Sequence, residues 1–130
     1  MTGPRPLAPN LAMVQLGLIL GPILLAGVAY ALRQQPGYSA PAALPDGVQY
    51  ALPVICVLAL GGVMVVRGIR ANAKGDQQFA SLSIIGWATS EAAALAGCVY
   101  YFMNGDPKWA VTGIFVQLFS ALLLPAKRPT

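Results

Sequence analysis

Histidine is absent from this chain of 130 residues, and charge is nearly so: Asp, Glu, Lys and Arg together make up 9% of it. An ordinary soluble domain is roughly a quarter charged, so water is the wrong solvent for most of this sequence. Without His, haem and the commonest zinc sites lose their usual donor. The two cysteines, Cys56 and Cys98, lie far apart inside apolar runs. They form no pair at metal-ligand spacing and do not announce the disulfide framework of small secreted domains; two packed thiols are expected. No Gly-rich phosphate loop and no nucleophile beside a base can be found. These absences argue against an enzyme and against any bound cofactor or metal. The net charge of +4 belongs to connections and ends rather than to one face, so nucleic acid is not an expected partner.

What is present is apolar surface, 57% of the residues. It gathers into four stretches, 11–32, 48–66, 79–103 and 107–124, at the scale of the about 17 to 25 residues that cross a bilayer as a helix. In lipid each backbone group needs a partner within its own segment, so these runs are expected to be helices. The expected fold is all-α, a single domain forming a four-transmembrane-helix bundle. The fourth stretch is the shortest and sits near the lower limit, which bilayer thinning or low tilt accommodates.

The breaks between runs have local causes. Pro36, Pro41 and Pro45 with Gly37 and Gly47 cannot continue a helix. Arg67 to Gln78 reads as a short basic connection. Asn104-Gly105-Asp106-Pro107 reads as a tight turn, with Pro107 opening the last helix.

Orientation follows from Lys and Arg, which are in excess on cytoplasmic loops. Arg5, Arg67, Arg70, Lys74, Lys127 and Arg128 fall on one side, Arg33 and Lys108 on the other. That division predicts cytoplasmic termini and a cytoplasmic middle loop. Tyr30, Tyr50, Tyr100, Tyr101 and Trp109 lie at the helix ends of the opposite side, where interfacial aromatics belong. A competing reading takes the first run as a cleaved signal, because Ala29-Tyr30-Ala31 resembles a small-x-small site, although the run exceeds the usual 7 to 15 residues.

Glu91 is the most informative residue. It lies at the centre of the third run, where a charge costs about 2.5–3.5 kcal/mol even on lenient insertion scales. Intramembrane carboxylates usually face protein or water and mark function; the bland alternative is a hydrogen-bonded carboxyl that glues helices together. Gln117, near the centre of the fourth run, is a candidate donor to Glu91, with Ser120 one turn further on. Pro22 frees the carbonyl of Leu18, a second candidate partner for Glu91. Ser83, Gly86, Ser90, Ala93 and Gly97 recur at three- and four-residue spacing and form a small-residue stripe for close helix packing. Glu91 flanks that stripe, on a sector with Trp87, Ala94 and Cys98. Gln15, Thr89 and Thr112 are read as structural.

Two resemblances accompany these residues. The segment from Phe79, with Gly86-Trp87-Ala88-Thr89-Ser90-Glu91-Ala92-Ala93-Ala94-Leu95, the turn Asn104-Gly105-Asp106 and the terminal Lys127-Arg128-Pro129-Thr130, resembles a family of small bacterial four-helix membrane proteins. Its members generally carry no assigned function, and the resemblance implies a bacterial inner (plasma) membrane as the location. The stretch Glu91-Ala92-Ala93-Ala94-Leu95 is also similar to the surroundings of the ion-carrying carboxylate in the proteolipid c subunit of rotary ATP synthases. That family's glycine-alternating first helix is absent here, and Arg33-Gln34-Gln35-Pro36 sits in a different hairpin from the family's loop signature. The second resemblance therefore carries over Glu91 alone, as a proton site.

Three functions compete at this stage. Glu91 is a packing contact or proton-responsive group in a membrane protein of unassigned task; or the chain is an ion-handling, c-subunit-like module in an oligomer; or it is an accessory subunit that packs a larger membrane complex through the small-residue stripe. The bilayer is the expected partner in all three, with a homo-oligomer or a membrane complex as the further one.

Overall fold

The computed structural model describes residues 11–39, 43–45 and 47–126. Arg5, Pro41, Lys127, Arg128, Pro129 and Thr130 lie outside the described residues. The protein is all-helical, with α1 at Leu11–Arg33, α2 at Val48–Ala71, α3 at Asp76–Asn104 and α4 at Lys108–Leu123. The first three are long and apolar enough to cross a membrane. At about 1.5 Å per residue, the 16 residues of α4 reach about 24 Å, short of the about 30 Å hydrocarbon core.

The helix boundaries differ from the sequence reading, most of all around the α2–α3 connection. α2 continues five residues beyond Val66 and α3 starts at Asp76, so Arg67 and Arg70 ride on a helix. Nothing between Arg67 and Ala71 obstructs helical backbone, whereas Gly75 at φ 94 does. α4 begins one residue later than expected, with Pro107 as its N-cap; its carbonyl accepts from Val111 N–H at 3.0 Å, and Asp106 Oδ1 accepts from Lys108 N–H at 3.0 Å. α3 ends where Gly105 turns left-handed, its N–H donating to Tyr101 O at 2.8 Å.

α3 packs against all three other helices, and α4 does so too. α1 and α2 share no contact among the described residues; they flank the α3–α4 pair on opposite sides. The contacts run antiparallel between α3 and α4, with Gly97 against the backbone of Trp109 and Ala110, and Gly113 against that of Ala93 and Ala94. Those glycines let the two backbones approach closely. One core layer joins Cys56, Ala59, Ala93 and Val116; another joins Val63, Val66, Trp87 and Leu124.

The burial pattern inverts that of a water-soluble protein. Leu16, Leu24, Val28, Val57, Leu58, Val65, Phe115 and Leu122 are exposed, while Arg70, Ser83, Ser90, Gln117 and Ser120 are buried. Apolar outer faces on helices of this length mark a multi-pass membrane protein. At one end of the bundle Arg33 NH1 donates to Phe102 O at 2.8 Å, and Asn104 exchanges hydrogen bonds with the backbone of Leu44, accepting at 3.0 Å and donating at 3.4 Å. These contacts pin the α1–α2 connection onto the end of α3.

Candidate functional site

Glu91 projects from the middle of α3 toward α1. A Cβ added to Gly21 would stand 3.3 Å from Glu91 Oε1, so the carboxyl occupies the notch that Gly21 leaves beside Pro22. The side chain is half-buried. Among the described residues it makes no hydrogen bond and no ion pair.

The partners that sequence reasoning offered to Glu91 are joined to each other instead. Gln117 Nε2 donates to Leu18 O at 2.6 Å. Pro22 explains the vacancy: it has no N–H to return to the carbonyl four residues earlier, and α4 runs past α1 at the level where a glutamine can reach it. The amide nitrogen is spent on α1, and Gln117 is left with an enclosed Oε1 that has no donor among the described residues. One turn along α4, the hydroxyl of Ser120 is equally enclosed and has no partner among the described residues. The mid-bundle therefore holds a carboxyl, an amide oxygen and a hydroxyl with open hydrogen-bonding capacity.

The small-residue stripe is buried along its whole length, with Ser83, Gly86, Ser90, Ala93 and Gly97 all inside. Gly86 is filled against by Leu124 and Val66, and Gly97 by the backbone of α4. The stripe faces the chain's own bundle. Its serines turn inward on their own helix: Ser83 Oγ donates to Phe79 O and Ser90 Oγ to Trp87 O, each at 2.8 Å. Thr89 and Thr112 donate to the carbonyls of Ile85 and Lys108, four residues back. Both cysteines are free and buried; Cys56 sits in the α2 layer, while Cys98 Sγ donates to Pro22 O at 3.4 Å on the α1 side.

A second polar centre escaped the sequence reading. The last carbonyls of α4 have no helical partner, and because α4 is short they end inside the bundle. Each of the other helices sends a donor to the carbonyls of Leu124 and Pro125, at and just past the C-cap of α4. Arg70 of α2 donates to Pro125 O at 2.8 Å, Trp87 of α3 donates through Nε1 to Leu124 O at 2.9 Å, and Gln15 of α1 donates to Leu124 O at 3.3 Å. Arg70 also donates to Ser83 Oγ at 2.9 Å and lies 4.4 Å over the Phe79 ring. It is 7% exposed. A signal for this was present: Val63, Val66 and Arg70 follow three- and four-residue spacing, which puts the arginine on the buried face of α2.

Among the described residues no group of His, Cys, Asp or Glu could hold a metal ion. A comparison of the chain with protein-family models, with curated proteins and with solved structures found no match.

Proposed function

We propose that this chain is a non-enzymatic, multi-pass protein of a bacterial inner membrane, with both termini cytoplasmic, in which Glu91 takes up and releases a proton at mid-membrane. The observation that carries this reading is the unpaired carboxyl of Glu91 at the Gly21–Pro22 notch. A glue residue holds its neighbour by a hydrogen bond, and Gln117 already serves in that capacity through Leu18 O. Glu91 is left without a packing role that its carboxyl chemistry would explain. A carboxyl at this depth without a counter-ion is stable when neutral, and each ionisation brings a charge to the seam between α1 and α3. The unpartnered Oε1 of Gln117 and hydroxyl of Ser120 supply further polar capacity in the same part of the bundle.

A c-subunit-like role in an oligomer is the stronger form of the same reading, in which the proton leaves toward the opposite side. An accessory role draws less support, since the stripe that would receive a partner helix is occupied by α4 and α2. The division of Lys and Arg supports the orientation, with Arg67 and Lys74 exposed at one end and Lys108 at the other.

The test is the infrared carboxyl C=O band of the protein in nanodiscs, compared with Glu91→Gln. A band that fades as pH rises and is missing from the variant is expected. A wild-type spectrum that does not change with pH, or that matches the variant, would sink the reading. Proton flux into vesicles carrying the protein then separates translocation from simple proton binding.

A further inference from the structure

The seam between α1 and α3 opens, on the Arg33 side of Glu91, into a groove of about 330 Å³. Leu25, Val28 and Leu32 of α1 and Cys98, Val99 and Phe102 of α3 line it. That volume lies at the small end of ligand sites, which run about 300–1,000 Å³. The lining is apolar and the groove lies within the spans, so its natural filling is hydrocarbon.

Its end is not apolar. Arg33 closes α1 one residue beyond Leu32, and its NH1 is held by the carbonyl of Phe102. The other guanidinium nitrogens make no hydrogen bond among the described residues. Tyr38 packs edge-on against Phe102 with ring centroids 6.2 Å apart, and Arg33 stands 5.8 Å from the centre of the Tyr38 ring. The Tyr38 hydroxyl is enclosed and faces the protein, with no partner among the described residues. A cation with spare donors thus stands beside the end of an apolar groove, held there by the carbonyl of the lining residue Phe102 and by the Tyr38 ring.

We infer that this groove is a binding site for one anionic phospholipid, an acyl chain lying between α1 and α3 and the phosphate accepting hydrogen bonds from Arg33. Charge complementarity selects the headgroup, and the groove selects a molecule with a tail over a free phosphate. The inference is independent of the Glu91 reading.

The test is native mass spectrometry of the full chain released from nanodiscs of equal phosphatidylglycerol and phosphatidylcholine. Wild type is expected to retain one phosphatidylglycerol per chain, with a preference of about fivefold, because a basic residue beside an anionic headgroup is worth about 1 kcal/mol. Arg33→Gln removes the preference. Val99→Trp, at an exposed edge of the groove, fills it with Arg33 intact and lowers retention of both lipids. Millimolar glycerol phosphate leaves the retained lipid in place. Equal retention of the two lipids by wild type, full retention by Val99→Trp, displacement by glycerol phosphate, or a lipid-free dimer each overturns the assignment.

Discussion

Arg70→Met tests the account of the fourth helix. The arginine makes two charge-assisted hydrogen bonds, to Ser83 Oγ and Pro125 O, and stacks on Phe79. Hydrogen bonds to charged groups contribute about 1.5–3 kcal/mol each and a cation–π contact about 0.5–2. Against this stands the cost of keeping a guanidinium 7% exposed, which methionine relieves. Ser83 keeps its bond to Phe79 O, so the loss falls on Pro125 O and on the stack. For a buried guanidinium, that one bond and the stack together contribute about 4 kcal/mol, within the about 2–5 their ranges span, and about 2 of recovered desolvation leaves a destabilisation of about 2 kcal/mol. That is about thirtyfold in the ratio of folded to unfolded protein. The assay is an SDS titration of detergent-solubilised protein in a Trp109→Phe background, so that Trp87 alone fluoresces. Trp87 donates to Leu124 O beside Arg70, and its emission should shift red as the end of α4 loosens. A loss below about 0.5 kcal/mol, the range of indifferent surface changes, with unchanged Trp87 emission would refute the reasoning.

The same titration checks three further expectations, and thiol labelling a fourth. Gly97→Val drives a side chain into the backbone of Trp109 and Ala110; overpacking of this kind costs about 1–3 kcal/mol, and the α3–α4 pair should separate. Gly61 has open space where its Cβ would stand, so Gly61→Ala should raise stability by about 0.5–1 kcal/mol. Gln117→Leu should cost about 0.6–1.7 kcal/mol through the stranded Leu18 carbonyl, whereas Glu91→Gln should change stability by less than about 0.5; the reverse order would show that Glu91 is packing glue. Neither Cys56 nor Cys98 should react with a water-soluble maleimide until SDS unfolds the bundle, since both are buried and free.

The helices were legible because their cause is local. Apolar runs long enough to span lipid, ended by Pro36-Gly37 and by Gly105-Asp106-Pro107, declare themselves without tertiary information. The stripe from Ser83 to Gly97 was legible for the same reason, since spacing alone puts it on one face. What could not be read was rotation between helices. Whether Gln117 meets Glu91 or Leu18 depends on how α4 is turned against α1, and no periodicity encodes that angle. Arg70 was hidden by a different effect. Charge counting treats every arginine near a span as a topological marker, and only the early end of α4 reveals that one of them is needed inside. The aromatics show the same limit: Tyr30 and Tyr50 are exposed, while Tyr100, alike by position, is buried.

The separation of α1 from α2 has a consequence for how the chain is made. Synthesis delivers helices in order from the N-terminus, and neighbouring helices of a hairpin usually find each other first. Here α1 and α2 share no interface among the described residues. After two helices have left the ribosome, each stands alone in lipid, tied by the connection from Gln34 to Gly47. Assembly waits for α3 and α4, which arrive as a tight hairpin through Gly105 and wedge between the waiting pair. The last quarter of the sequence is thus a keystone: a ribosome stalled before α4 would leave α3 with its glycine face open, and α1 without the glutamine that closes its break.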